Sequence, residues 1–100
     1  MASYRLSNRA DGDFEAIFIY GVSTFGLRQA EQYALGLVAR FEQIVHQPRL
    51  YREVDHIKPG YRLSVYSSHS IYYRIDEHGV FIVRILRNQD AGIALTAEPE

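Results

Sequence analysis

Residues 61–87 read YRLSVY-SS-HSIYYRI-DEHG-VFIVRILR, and this stretch decides the fold. Three runs rich in tyrosine and β-branched residues are separated by Ser67-Ser68 and by Asp76-Glu77-His78-Gly79. Runs of this composition are strands, and connections this short join antiparallel neighbours. Strands are expected over 61–66, 69–75 and 80–87, as a meander. Side chains alternate between the two faces of a sheet. One alternating set is Leu63, Val65, Ile71, Tyr73, Ile75, Phe81, Val83 and Ile85, which is apolar and expected to face a covering layer. The other is Arg62, Ser64, Tyr66, Ser70, Tyr72, Arg74, Ile82, Arg84 and Leu86, with three arginines and no acidic residue. Arginine and tyrosine together favour a partner surface whose carboxylates or phosphates match the guanidinium fork. The plainer alternative is an outer face whose long side chains lie over one another.

The covering layer comes from the N-terminal half. Ala30, Tyr33, Ala34, Leu37, Val38, Phe41, Ile44 and Val45 recur at helical spacing, so a helix is expected over 27–46, closed by Pro48. An earlier helix is expected to start at Asn8 as N-cap, with Asp11 three residues on, and to stop at Gly26. A gap of one or two residues forces the two helices into an antiparallel hairpin. Its first helix carries Phe14, Ile17, Phe18, Ile19, Tyr20, Val22 and Phe25, more than one stripe. Either the core-facing stripe is wide, or part of this set stays exposed as a docking patch. Residues 3–7 alternate as a short first strand. Residues 48–60 are a polar connection that returns Leu50 or Tyr51 to the core and ends in the Lys58-Pro59-Gly60 turn. The expected order is β-α-α-β-β-β: an α+β fold, its antiparallel sheet covered on one face by an N-terminal helical hairpin. Residues 1–100 form one domain, with about 91–100 as a loose tail.

Composition narrows the function. The net charge is −1, which argues against a bulk nucleic-acid binder, although over residues 58–87 Lys58, Arg62, Arg74, Arg84 and Arg87 outnumber Asp76 and Glu77. There is no cysteine, so neither disulfides nor thiolate metal sites are available. No N-terminal apolar run suits a signal peptide, and the longest apolar stretch, 16–22, is too short for a bilayer. A cytoplasmic protein without membrane contact is expected. His46, His56, His69 and His78 lack the spacing of metal or catalytic pairs, so no metal and no cofactor is expected. His69 is the histidine bordering the open face.

Tyr4-Arg5-Leu6-Ser7-Asn8-Arg9-Ala10 followed by Asp13-Phe14-Glu15-Ala16-Ile17 resembles the opening of ParE toxins. Phe41-Glu42-Gln43-Ile44 with Gln47-Pro48-Arg49-Leu50 is similar to their helix exit. Lys58-Pro59-Gly60-Tyr61-Arg62, Ser68 to Ile75, and Val80 to Arg87 with Asn88-Gln89-Asp90 resemble their strands. The resemblance to the ParE/RelE superfamily covers nearly the whole chain in order. It implies the β-α-α-β-β-β layout and a type II toxin held in a hetero-oligomer by a cognate ParD-like antitoxin. It also implies inhibition of DNA gyrase by protein contact, without direct sequence-specific nucleic-acid recognition. The alternatives are a ribosome-dependent mRNA interferase of the RelE kind and a non-toxic antitoxin-binding module. Ser70 and Asn88 fall where the ribonuclease relatives carry a catalytic arginine and a basic or histidine residue, so no catalytic residue is expected. From strand parity and the resemblance, the antitoxin-binding residues are expected to be Arg62, Tyr66, Tyr72, Arg74 and Arg84 on the sheet. Phe14, Ile17, Phe18, Tyr33 and Leu37 are expected on the helices. Arg87, Asn88, Gln89 and Asp90 are the expected gyrase-directed surface.

Overall fold

The computed structural model describes residues 3–87. The expected tail over 91–100 and the residues Asn88, Gln89 and Asp90 lie outside them. The elements run β1 (Tyr4–Leu6), α1 (Asn8–Phe25), α2 (Leu27–His46), β2 (Arg52–Glu53), β3 (Tyr61–Tyr66), β4 (His69–Asp76) and β5 (Gly79–Leu86). The α+β layout and the helical hairpin are as expected. The sheet is five-stranded, in the order β1-β5-β4-β3-β2. Two features were not foreseen. β1 pairs with β5 in parallel, which makes the sheet mixed, and the two-residue strand β2 extends the far edge.

Helix α1 begins one residue earlier than expected. Ser7, not Asn8, is the N-cap: its backbone is extended, and its hydroxyl accepts the Ala10 N–H at 2.9 Å. The same hydroxyl donates to the Val83 carbonyl at 2.7 Å and is buried. A serine caps and bonds the sheet at once, which leaves Asn8 free to be helical. Ala10 therefore holds the third helical position, and Asp11 is not part of a capping box. Gly26 ends α1 with φ +95°, a conformation that glycine adopts without strain, and its N–H reaches the Val22 carbonyl at 3.0 Å. The helices then run back along each other.

The assignment of the two sheet faces needs correction on β3 and half of β5. Tyr66 pairs with His69 across the two-residue turn, so Arg62 lies opposite Tyr73 and Ser64 opposite Ile71. Directly opposed residues share a face, so the even-numbered residues of β3 join Ile71 and Tyr73 under the helices. Leu63 and Val65 are on the far side. β4 and β5 start in register, with Ile75 opposite Val80 and Tyr73 opposite Ile82. A bulge follows: Tyr72 pairs with Arg84, and Val83 has no residue opposite it. Ile82 and Ile85, three apart, thus both face the helices. Phe81 and Val83, expected there, lie on the far side.

The core under the helices joins Ala10, Leu37, Phe41 and Ile44 to Ile71, Tyr73, Val80, Ile82 and Ile85. Tyr51, not Leu50, returns to it, edge-on to Tyr73 with centroids 6.5 Å apart. Burial raises the Tyr73 phenol to about 12, and its hydroxyl donates to the Pro48 carbonyl at 2.5 Å. A second apolar cluster, Val54, Tyr61, Leu63, Tyr72, Phe81, Val83 and Leu86, occupies the far face.

Candidate functional site: a cleft between the helical hairpin and the β3–β4 turn

Helix α1 buries little of its apolar surface; Ala10 is its one fully buried side chain. Ile19, Tyr20, Val22 and Phe25 are exposed, Phe25 by 62%. Of the two readings of this helix, the exposed patch is the one observed. Tyr20 and Phe25 stack edge to face, 6.4 Å apart, at the rim of a cleft of about 460 Å³. The cleft lies between the closed end of the hairpin and the β3–β4 turn. Ile17, Gly21 and Ala30 form its apolar side, and Tyr33, Tyr66, Ser67, Ser68 and His69 its polar side.

The polar side is held rigidly. Tyr33 Oη lies 2.6 Å from His69 Nδ1 and 3.2 Å from the Tyr66 carbonyl oxygen. The phenol has one proton, so both contacts are satisfied when His69 Nδ1–H donates to Tyr33 and Tyr33 donates to the carbonyl. Burial lowers the His69 pKa, and the nearby Arg87 lowers it further against a smaller pull from Asp13. Burial and Arg87 together favour the neutral imidazole. Tyr66 stacks at 5.2 Å from Tyr33 and packs directly over Gly36, and the Arg40 guanidinium lies 5.4 Å from its ring. Arg40 is fixed in turn by bonds to the Val65 carbonyl at 2.7 Å and Ser64 Oγ at 3.0 Å.

The expected site residues divide into three groups. Ile17, Tyr33, Tyr66 and Arg87 come together at the cleft. Phe14 packs on Phe41 at 6.3 Å, Phe18 is half-buried, and Leu37 is fully buried in the core. The expected common arginine–tyrosine face does not form. Arg62 turns under the helices, where it donates to the Tyr51 and Arg49 carbonyls and to Glu53. Tyr72 is buried in the far cluster. Arg84 is locked to Asp13, with side-chain exposures of 11% and 18%. Arg74 alone of the five stands on the far face with its charge exposed, stacked on Phe81. Among the missed residues, Gly36 and Arg40 carry no motif. His69 was placed at the border of the open face, but its pairing with Tyr66 puts it under the helices.

This arrangement suits binding. The cleft has the size and the mixed lining of a pocket for a partner's side chains. Its histidine is bonded to a tyrosine and to no carboxylate in the hydrogen bonds of the described residues. Among those residues no three His, Asp or Glu side chains converge to hold a metal, and no helix is long and apolar enough to cross a membrane.

Residues 4–92 match the family described as ParE toxin of type II toxin-antitoxin system, parDE. This chain belongs to the ParE toxin family. It is 36% identical to a Toxin ParE1 of Caulobacter vibrioides over 86 residues, which cover 86% of this chain and 88% of the relative. It is 34% identical to a Toxin ParE1 of Mycobacterium tuberculosis over 87 residues, covering 86% and 89%. The fold matches a solved chain described as "Chromosomal ParDE TA system from P. aeruginosa". That match has a TM-score of 0.76 at 22% identity and covers 89% of this ParE-family chain and 98% of the other.

Proposed function

We propose that this ParE-family toxin is neutralised by a cognate ParD-like antitoxin seated in the cleft, and that it acts on DNA gyrase by protein contact without catalysis. The observation that carries the antitoxin reading is the exposed Tyr20–Phe25 pair at the rim of a preformed cleft. A large apolar surface left open beside fixed polar groups is the usual form of a protein-binding site. Ile17, Tyr33 and Tyr66 are the antitoxin contacts retained from the sequence reading. Arg87 borders the same cleft and leads into Asn88-Gln89-Asp90, the segment proposed to face gyrase. An antitoxin in the cleft would cover Arg87 as well. The gyrase reading rests on family membership, and the separate hydrogen-bonding of His69 supports action by contact.

The test is controlled expression in bacteria without the antitoxin gene, scoring growth, DNA damage and transcript integrity together. Growth arrest with filamentation, DNA damage and intact transcripts is expected. Cleaved transcripts would replace this reading with a ribonuclease, and normal growth with folded protein would leave an antitoxin-binding module. Phe25→Ser is expected to weaken antitoxin binding by about tenfold or more, the loss typical of an interface aromatic.

A further inference from the structure

A second hollow, of about 190 Å³, adjoins the cleft along α1. Ala16, Ile17 and Tyr20 form its apolar side, and His69 and Arg87 close it. Ile17, Tyr20, His69 and Arg87 line both spaces, so the two are parts of one site. The hollow has the size for one large apolar side chain: an enclosed cavity of about 150 Å³ holds a benzene ring. Tyr20 is 52% exposed. A partner's side chain laid against it would take apolar surface of both molecules out of water.

Arg87 gives this site a charge that nothing in it opposes. The residue is exposed, and among the described residues its side chain has no hydrogen bond and no ion pair. Among those residues no aspartate or glutamate lines either space. Asp13, whose charge reaches His69, is already bonded by Arg84 and by the Ile85 N–H. Burial and Arg87 both favour the neutral form of His69, which leaves Arg87 as the permanent cation of the lining. The site therefore sets one cation beside an apolar wall.

We infer that the site selects a partner segment carrying a large apolar side chain with a single aspartate or glutamate close beside it; this rests on the antitoxin reading above and states what the antitoxin must offer. The apolar side chain fills the hollow on α1, and the carboxylate pairs with Arg87, a match that the guanidinium suits. A nucleic-acid strand also offers a ring next to an anion. It brings a phosphate with every nucleotide, however, and meets no second permanent cation among the lining residues. Asp11, Asp13 and Glu15 precede the hollow on α1, and the net charge is −1, so a polyanion is repelled where one carboxylate is not.

The test is an NMR titration of the full chain with four probes. The first is a tripeptide of phenylalanine, serine and glutamate, blocked at both ends, whose outer side chains share one side when it is extended. The second has glutamine for glutamate, the third has alanine for phenylalanine, and the fourth is a thymidine dinucleotide with a 5′-phosphate. The first peptide is expected to shift the amides of Ile17, Tyr20, His69 and Arg87. Glutamine should weaken it about fivefold, the upper value of one exposed ion pair, and alanine about tenfold or more, the loss of one buried aromatic side chain. In Arg87→Ala the glutamate and glutamine peptides should bind alike, with the preference for phenylalanine kept. Arg52→Ala, on the exposed edge strand β2, should bind as the parent does. A glutamate preference that is absent from the parent, or that persists in Arg87→Ala, would overturn the carboxylate. Tighter binding of the dinucleotide would overturn the protein segment in favour of nucleic acid, and shifts elsewhere or none with any probe would overturn the site. The antitoxin reading has its own measurement in Phe25→Ser: an antitoxin that loses affinity there while the peptides fail removes this inference and leaves that reading standing. An Arg87→Ala spectrum that is otherwise unchanged keeps loss of folding from counting as loss of binding.

Discussion

Asp13 of α1 grips Arg84 of β5 with both carboxylate oxygens, at 2.8 Å to Nε and 3.0 Å to an outer nitrogen, and also accepts the Ile85 backbone N–H at 3.0 Å. β1 is paired with β5 only as far as Ile82, and one further bond runs from the Ser7 N–H to the Ile82 carbonyl. Beyond that point the edge of β5 is closed by a helix side chain instead of a strand. Asp13→Ala removes that acceptor from both groups in a mostly buried setting. We expect a loss of about 3 kcal/mol, between that of a lost charged hydrogen bond and that of a broken buried pair. Denaturant unfolding of Asp13→Ala, Arg84→Ala and the double variant checks this; additive losses would show that the two side chains do not act together. It also follows that charge reversal at Arg84 should reduce stability before it reports on any partner.

Ser7 is the second joint between α1 and the sheet. Ser7→Ala loses an N-cap and leaves the Val83 carbonyl without this donor, and the expected cost is about 2 kcal/mol. Ser7→Thr keeps the hydroxyl and should recover part of the loss, provided the extra methyl fits. A shift in the urea midpoint at unchanged slope is the readout. A Ser7→Ala midpoint equal to the parent's would remove the cap from the account.

Gly36 decides where Tyr66 can sit. A Cβ at this position would lie 2.7 Å from Tyr66 Cζ and closer still to its hydroxyl. In Gly36→Ala the ring must swing away from Tyr33 and Arg40. Alanine gains about 1 kcal/mol of helix propensity, which offsets part of the lost packing. Stability is therefore expected to change by no more than about 1 kcal/mol, within that offset, while antitoxin binding weakens. Calorimetric titration beside thermal unfolding separates the two. Unchanged affinity would exclude the wall formed by Tyr66 from the binding surface.

His69 makes stability depend on pH in a definite direction. Its folded pKa lies below the ordinary 6.5, chiefly through burial and then through Arg87. Below about pH 6.5 the unfolded chain takes up a proton that the folded chain resists, so stability falls as the pH falls, until the folded pKa has been passed. Above that window the contribution is fully present. The unfolding midpoint should drop between pH 7.5 and 5, and His69→Gln should flatten this part of the profile. A parent profile already flat there would contradict the lowered pKa of the half-buried His69.

Both helices, the Gly26 stop and the three long strands were legible because each rests on local chemistry: apolar spacing, a glycine, and short polar turns between β-rich runs. The faces of the sheet were partly legible too. A two-residue turn after Tyr66 forces odd residues of β3 to lie opposite even residues of β4. Placing Leu63 with Ile71 was therefore inconsistent with the Ser67-Ser68 turn itself. The apolar content of both faces concealed this, because Leu63 and Val83 are as apolar as the residues under the helices.

The sequence by itself determined the order of elements, the hairpin of helices, the antiparallel meander and membership of the ParE family. Tertiary structure decided the parallel placement of β1, the bulge at Val83, the burial of Tyr72 and Leu37, and the separation of the expected binding residues between a cleft and the opposite face. The physical reason is range. Periodicity and turns are set by residues a few positions apart, whereas Asp13 meets Arg84 across 71 positions. Such contacts depend on how the finished layers pack, and a bulge that moves one residue changes which side chains meet.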